Sequence, residues 1–131
     1  KRIAYMVYSL GKPKLEIYQS ITDRYVTNEV VITEEQLRHI KKKNQEAYQD
    51  VLHYLKETLD SPDYIFKDSH PDTGLVIKEI RREAMIFLLV LKIATSSDKS
   101  GYKNSVISGW RITEKRLKNY LRNKKLIYKK E

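Results

Sequence analysis

The chain has 131 residues, 40% of them apolar and 33% charged, which suits one globular domain with a real core and excludes a disordered polymer. It has no cysteine, so disulfides, thiolate nucleophiles and thiolate metal sites are excluded. Its net charge of +9 arises in one place: residues 99–131 hold 11 basic and 2 acidic side chains, whereas 1–71 and 72–98 are each balanced.

Such a concentration of charge is either a solvated face or a surface for a polyanion, and nucleic acid is the polyanion it fits best. The longest apolar run, Ala84 to Leu91, is too short to span a bilayer. Lys1 to Leu10 lacks a cleavage-site pattern and is not read as a signal peptide. A chain beginning at Lys1 is read as a piece of a longer polypeptide or a trimmed one, folding as a single domain over 1–131.

Ile3 to Tyr8 is apolar and aromatic and predicts a strand, broken by Gly11 to Pro13. Leu15, Ile17 and Ile21 suggest an extended piece or a short helical one. Val30 to Ile32 is a β-branched run. Thr33 with Gln36 three residues on predicts a capping box, opening a helix over Glu34 to Lys43. A second helix, about Glu46 to Leu59, carries Tyr48, Val51, Leu52, Leu55 and Leu59 at core-facing spacing and ends at Ser61-Pro62.

The period then changes. Asp63 to Phe66 predicts a short strand, His70 to Gly74 a turn, and Leu75 to Arg81 a strand with Val76, Lys78 and Ile80 on one face. Met85 to Thr95, apolar almost throughout, predicts the central, doubly covered strand. Ser96 to Gly101 is a loop. Tyr102 to Trp110 predicts a strand with Asn104, Val106, Ser108 and Trp110 on one face. Thr113 caps a short basic helix, Glu114 to Asn123, with Leu117, Tyr120 and Leu121 inward, and Leu126 to Tyr128 is the last strand. The sum is an α+β domain: N-terminal helices on an antiparallel sheet, with a short basic helix before the last strand.

The chain has three histidines and four glycines. No HExxH spacing, EF-hand pattern, phosphate-binding glycine loop or nucleophile elbow occurs, so no metal or other cofactor is expected. Three features remain. His39 stands at the border of a helix face marked by Leu37 and Ile40, with Lys42 and Lys43 a turn on; it is either structural or a proton-transfer group. The segment YKNSVISGWR, Tyr102 to Arg111, mixes hydroxyls, cations and the one tryptophan; it is either a half-exposed strand or a surface that holds phosphate and stacks a base. Lys78, on an otherwise apolar strand face, is either at an edge or electrostatically active.

In order, VVITEEQLRHI (Val30 to Ile40), PDYI (Pro62 to Ile65), LVIKEI (Leu75 to Ile80), YKNSVISGW (Tyr102 to Trp110) and LIYK (Leu126 to Lys129) resemble the phage-associated nuclease domains of the Barnase–EndoU–colicin–RelE superfamily. The resemblance covers about Val30 to Lys129. It implies metal-independent RNA cleavage, with the RNA's own 2′-hydroxyl as nucleophile. Carried over by position, His39 is the acid/base residue, Lys78 the strand lysine at the scissile phosphate, and Ser108 stands where members carry Thr or Ser. Tyr128 is a further candidate proton donor. Lys42, Lys43, Tyr102, Asn104, Ser105, Trp110 and Arg111 are the residues expected to hold RNA. The chain departs from the pattern at Asn44, where many members have a second histidine.

The resemblance also implies a toxin acting on tRNA or other structured RNA in the cytoplasm of a target cell, delivered within a larger secreted or phage protein. An acidic immunity or antitoxin protein would be its partner. The competing readings are a non-catalytic RNA- or DNA-binding module and a phage or mobile-element interaction domain.

Overall fold

The computed structural model describes residues 4–9, as backbone, and 16–131. In chain order its elements are β1 (Ala4–Ser9), β2 (Glu29–Thr33), α1 (Glu34–Lys43), α2 (Gln45–Asp60), β3 (Tyr64–Lys67), β4 (Thr73–Ile80), β5 (Met85–Lys92), β6 (Asn104–Ile112), α3 (Glu114–Asn123) and β7 (Leu126–Lys129). The break expected at Gly11 to Pro13 lies outside the described residues. Between β1 and β2 the stretch around Ile17 forms a helical turn, the second of the two forms the sequence allowed.

All seven strands form one sheet in the order β1-β2-β6-β5-β4-β3-β7. The α+β class is the one expected. The sheet is mixed, however, because β2 runs parallel to β6 while every other neighbour is antiparallel. A parallel pair needs a long crossover. Here the crossover is everything from α1 to β5, so no local pattern announces it.

Local sequence sets the helix limits. The Thr33 side chain accepts from the Gln36 N–H and the Gln36 side chain accepts from the Thr33 N–H, each at 3.1 Å. Asn44 serves both helices. Its N–H donates to the Ile40 carbonyl at 2.9 Å, closing α1, and its Oδ1 accepts from the Ala47 N–H at 3.1 Å, opening α2. The position where the family pattern expects a second histidine is therefore occupied by a helix cap, a task for which an asparagine carbonyl is suited.

The α2 stripe Val51, Leu55 and Leu59 is buried against the sheet, with Tyr48 and Leu52 packed at its margin. Close approach of α2 to β6 depends on Gly109. A Cβ there would lie 2.9 Å from Val51 Cγ2 and from Leu89 Cδ2, and 3.1 Å from the Leu88 carbonyl oxygen.

Strand β5 is central and covered on both faces. Phe87, Leu89 and Leu91 join the core under α1 and α2, whereas Leu88 joins a second core with Phe66, Ile77, Leu117 and Tyr120 beneath α3. The helices thus lie on both faces. On α3 only Leu117 and Tyr120 are buried, and Leu121, expected inward, is 42% exposed. Leu117 and Tyr120 are three residues apart and define a narrow stripe; Leu121, four residues after Leu117, falls about 40° beyond its edge, on the side away from Tyr120.

Candidate active site

Four expected contributors, His39, Lys78, Ser108 and Tyr128, lie on four different elements. Helix α1 carries His39 and Lys43 toward the junction with α2, and the first turn of α2 adds Ala47. Opposite them stands β6. The three elements enclose a cleft of about 480 Å³ lined by His39, Lys43, Asn44, Ile107, Ser108 and Trp110, among others.

The cleft exists because of two irregularities in β6. Its pairing with β2 ends at Val31↔Ser105, so from Val106 onward its outer edge has no strand neighbour among the described residues. There is also a β-bulge: Leu91 opposes Val106 and Val90 opposes Ser108, leaving Ile107 as the extra residue. A bulge shifts the side-chain alternation by one. Asn104 and Val106 face α1 and α2, whereas Ser108 and Trp110 turn to the opposite face beside Val90 and Leu88. The expectation that all four share one face is corrected on this ground.

His39 is exposed at the cleft mouth and Ser108 is half-buried in its wall. Trp110 is 37% exposed and Ile107 40%. Arg111 points back to the helical face. Its guanidinium donates to both carboxylate oxygens of buried Asp50, at 2.7 and 3.1 Å, with Glu46 at 3.8 Å. The hydrogen bond it donates to Asp50 raises the Arg111 pKa further above its ordinary value. This fork ties α2 to β6 directly behind the cleft.

Lys78 and Tyr128 are elsewhere. Lys78 opposes Phe87, which opposes Arg111, so these three form a row across β4, β5 and β6. Two strand spacings place the Lys78 backbone about 10 Å from that of Arg111. Its ammonium, only 13% exposed at side-chain level, turns to the end of α2, 3.4 Å from Ser61 Oγ and 3.9 Å from Asp63. There it lines a second cleft, of about 560 Å³, with Tyr64, Arg81 and Lys130. Tyr128 opposes Ile65 on the edge strand β7, four strand steps or about 19 Å from β6. Of these four residues, His39 and Ser108 line the cleft, Ser108 with its side chain turned to the other face of β6, and Lys78 and Tyr128 lie away from it. Strand alternation gave the right face for Lys78, but strand order separates it from the cleft.

Of the residues expected to hold RNA, Lys43 and Trp110 line the cleft, and Lys42 is exposed on α1. Tyr102, two residues before β6, is 54% exposed, and Ser105 is half-buried. Asn104 is buried: its Oδ1 accepts from the Ala94 N–H and its Nδ2 donates to the Thr27 carbonyl, both at 2.8 Å. It pins the β5–β6 loop to the segment before β2, so the RNA contact expected of it is not open in this fold. His53 stacks edge-on against Tyr54, and His70 pairs with Asp68 at 2.8 Å. Sequence reasoning missed Asp50, whose only signal is an acidic residue beside the buried stripe of α2. No cluster of three or more His, Asp or Glu side chains that could hold a metal ion occurs among the described residues.

A model of the family described as phage-Barnase-EndoU-ColicinE5/D-RelE like nuclease2 matches residues 7–129. No curated protein and no solved structure is matched.

Proposed function

The chain belongs to this family of phage-associated Barnase–EndoU–colicin–RelE-like nucleases, and on that premise we propose that it is a metal-independent endoribonuclease whose reaction centre is the His39 cleft. The observation that carries the reading is that His39 and Lys43 of α1 line one cleft with the open edge of β6. A proton-transfer group and a cation beside an accessible strand edge suit the transesterification of RNA.

In this mechanism the His39 imidazole takes the proton of a 2′-hydroxyl. The 2′-oxygen forms a bond to the adjacent phosphorus, and the bond to the 5′-oxygen breaks. The proton returns to that leaving oxygen, giving a 2′,3′-cyclic phosphate and a 5′-hydroxyl. Lys43 offsets the charge that builds on the phosphorane. Exposure of His39 at the cleft mouth suits a group that must reach the sugar of a large polymer.

The +9 of the C-terminal quarter supports a polyanionic substrate. A toxin role against tRNA or other structured RNA, acting in a target cytoplasm and restrained by an acidic immunity protein, extends the same reading. The test is incubation with RNA in EDTA. Cleavage that is lost in His39→Ala supports the proposal. Salt-sensitive retention of intact RNA would instead make the chain a binding module.

A further inference from the structure

Six large apolar side chains are exposed among the described residues, and three of them, Tyr102, Ile107 and Trp110, lie on β6 or just before it. One exposed apolar side chain needs no explanation, but two on one strand and a third two residues before it do. The bulge at Ile107 turns Trp110 outward, and departure of β2 after Ser105 leaves that edge of β6 uncovered.

Cations follow the same line. Lys43 stands in the cleft beside Trp110. Lys92, the last residue of β5, opposes Ser105 near the start of β6 and is exposed. Lys99 lines a surface cavity with Tyr102. None of these three has a carboxylate partner among the described residues, whereas Arg111 and Lys103 are paired with Asp50 and Glu29. Unpaired cations alternating with two aromatic rings and the hydroxyls of Ser105 and Ser108 match a polyanion that exposes π-faces. A duplex hides those faces, and an acidic protein has no need of the rings.

We infer that β6 is the track of a single-stranded RNA segment, with one unpaired base stacked on Trp110 and another on Tyr102. The inference rests on the reading of the His39 cleft as a ribonuclease centre and specifies its substrate. Tyr102 and Trp110 are separated by about 25 Å of extended chain. That span takes about 4 to 7 nucleotides, between a stacked strand at 3.4 Å per nucleotide and an extended one at about twice that. His39 and Ser108 lie at the Trp110 end, so the bond cut adjoins the base on Trp110, and the rest of the segment runs toward Tyr102.

Trp110 is the one tryptophan of the chain and reports its own occupancy. The probe is 2′-O-methyl RNA, whose nucleophile is blocked, in a length series from dinucleotide to octanucleotide. Saturable quenching of Trp110 emission is expected, with affinity rising to a plateau at about 4 to 7 nucleotides. Tyr102→Ala removes the gain with length but leaves quenching by the dinucleotide. Trp110→Ala, followed by anisotropy of a labelled oligonucleotide, binds about 5- to 150-fold more weakly. Tyr102→Ala should melt like the parent, since Tyr102 is 54% exposed, and Trp110→Ala is compared with the parent at a temperature at which both are fully folded.

Binding by anisotropy with unchanged Trp110 emission overturns the inference, as does equal quenching by duplex RNA or by an acidic polypeptide. If unmodified RNA is cleaved without quenching, the track is refuted and the nuclease reading stands. If quenching is seen while unmodified RNA stays intact, the nuclease reading is refuted and the track stands.

Discussion

Gly109→Ala tests the packing that builds the cleft. The new methyl would lie 2.9 Å from Val51 Cγ2 and Leu89 Cδ2 and 3.1 Å from the Leu88 carbonyl oxygen. Val51 and Leu89 are fully buried, so neither has an empty space to rotate into. The carbonyl belongs to central strand β5 and cannot move without straining its ladder. The remaining way out is for α2 to lift from β6. Such overpacking costs about 1–3 kcal/mol. Replacing glycine within a strand returns about 0.5–1 kcal/mol through the unfolded chain. The net loss is about 0.5–2 kcal/mol. For a domain of this size that lowers the melting temperature by roughly 2–8 °C, measurable by circular dichroism. The lift also pulls Asp50 from Arg111 and opens the His39 cleft, so RNA cleavage should fall with stability. A variant that melts at or above the parent temperature would refute the packing of α2 against Gly109.

Asp50→Ala leaves the Arg111 guanidinium without its fork. Because that side chain is 44% exposed and water can replace part of the loss, about 1–2 kcal/mol in urea denaturation is expected. Burial raises the pKa of Tyr18, whose hydroxyl donates to the Leu59 carbonyl at 2.7 Å. A pKa raised on folding gives stability that is complete below the unfolded value of about 10 and is lost as pH rises above it. Urea midpoints measured above that pH should therefore fall, and fall less steeply in Tyr18→Phe. Reversing Lys115, Lys118 and Lys125 to Glu should weaken RNA binding and flatten its salt dependence, measured by anisotropy across salt concentrations; unchanged affinity at low salt would make the basic segment only a solvated face.

What the sequence disclosed was what local physics determines. The capping box of Thr33 and Gln36, the buried stripe of α2 and the two-faced apolarity of β5 each follow from residues a few positions apart. The parallel β2–β6 pair, the bulge at Ile107 and the separation of Lys78 from Ser108 depend on register between distant strands. Alternation put Val76, Lys78 and Ile80 on one face, and they are there. It also put Ser108 with Val106, and one extra residue reversed that. Asn104 looked like a surface amide because it sits among hydroxyls and cations; its burial is fixed by Ala94 and Thr27, which no pattern within β6 reveals. In the candidate site, His39, Lys43, Ser108 and Trp110 were legible as residue types in basic or aromatic neighbourhoods. Their common cleft was not, since it is made by an open strand edge.

The most direct measurement is an EDTA-containing assay of single-stranded RNA and matched DNA with the parent chain, His39→Ala and the controls His53→Ala and His70→Ala. His39 is exposed, so its removal should leave the melting temperature unchanged. The account predicts RNA fragments ending in 2′,3′-cyclic phosphate, intact DNA, loss of cleavage in His39→Ala and near-parent rates in both controls. RNA left intact by the parent chain, or cleaved at the parent rate by His39→Ala, would contradict it.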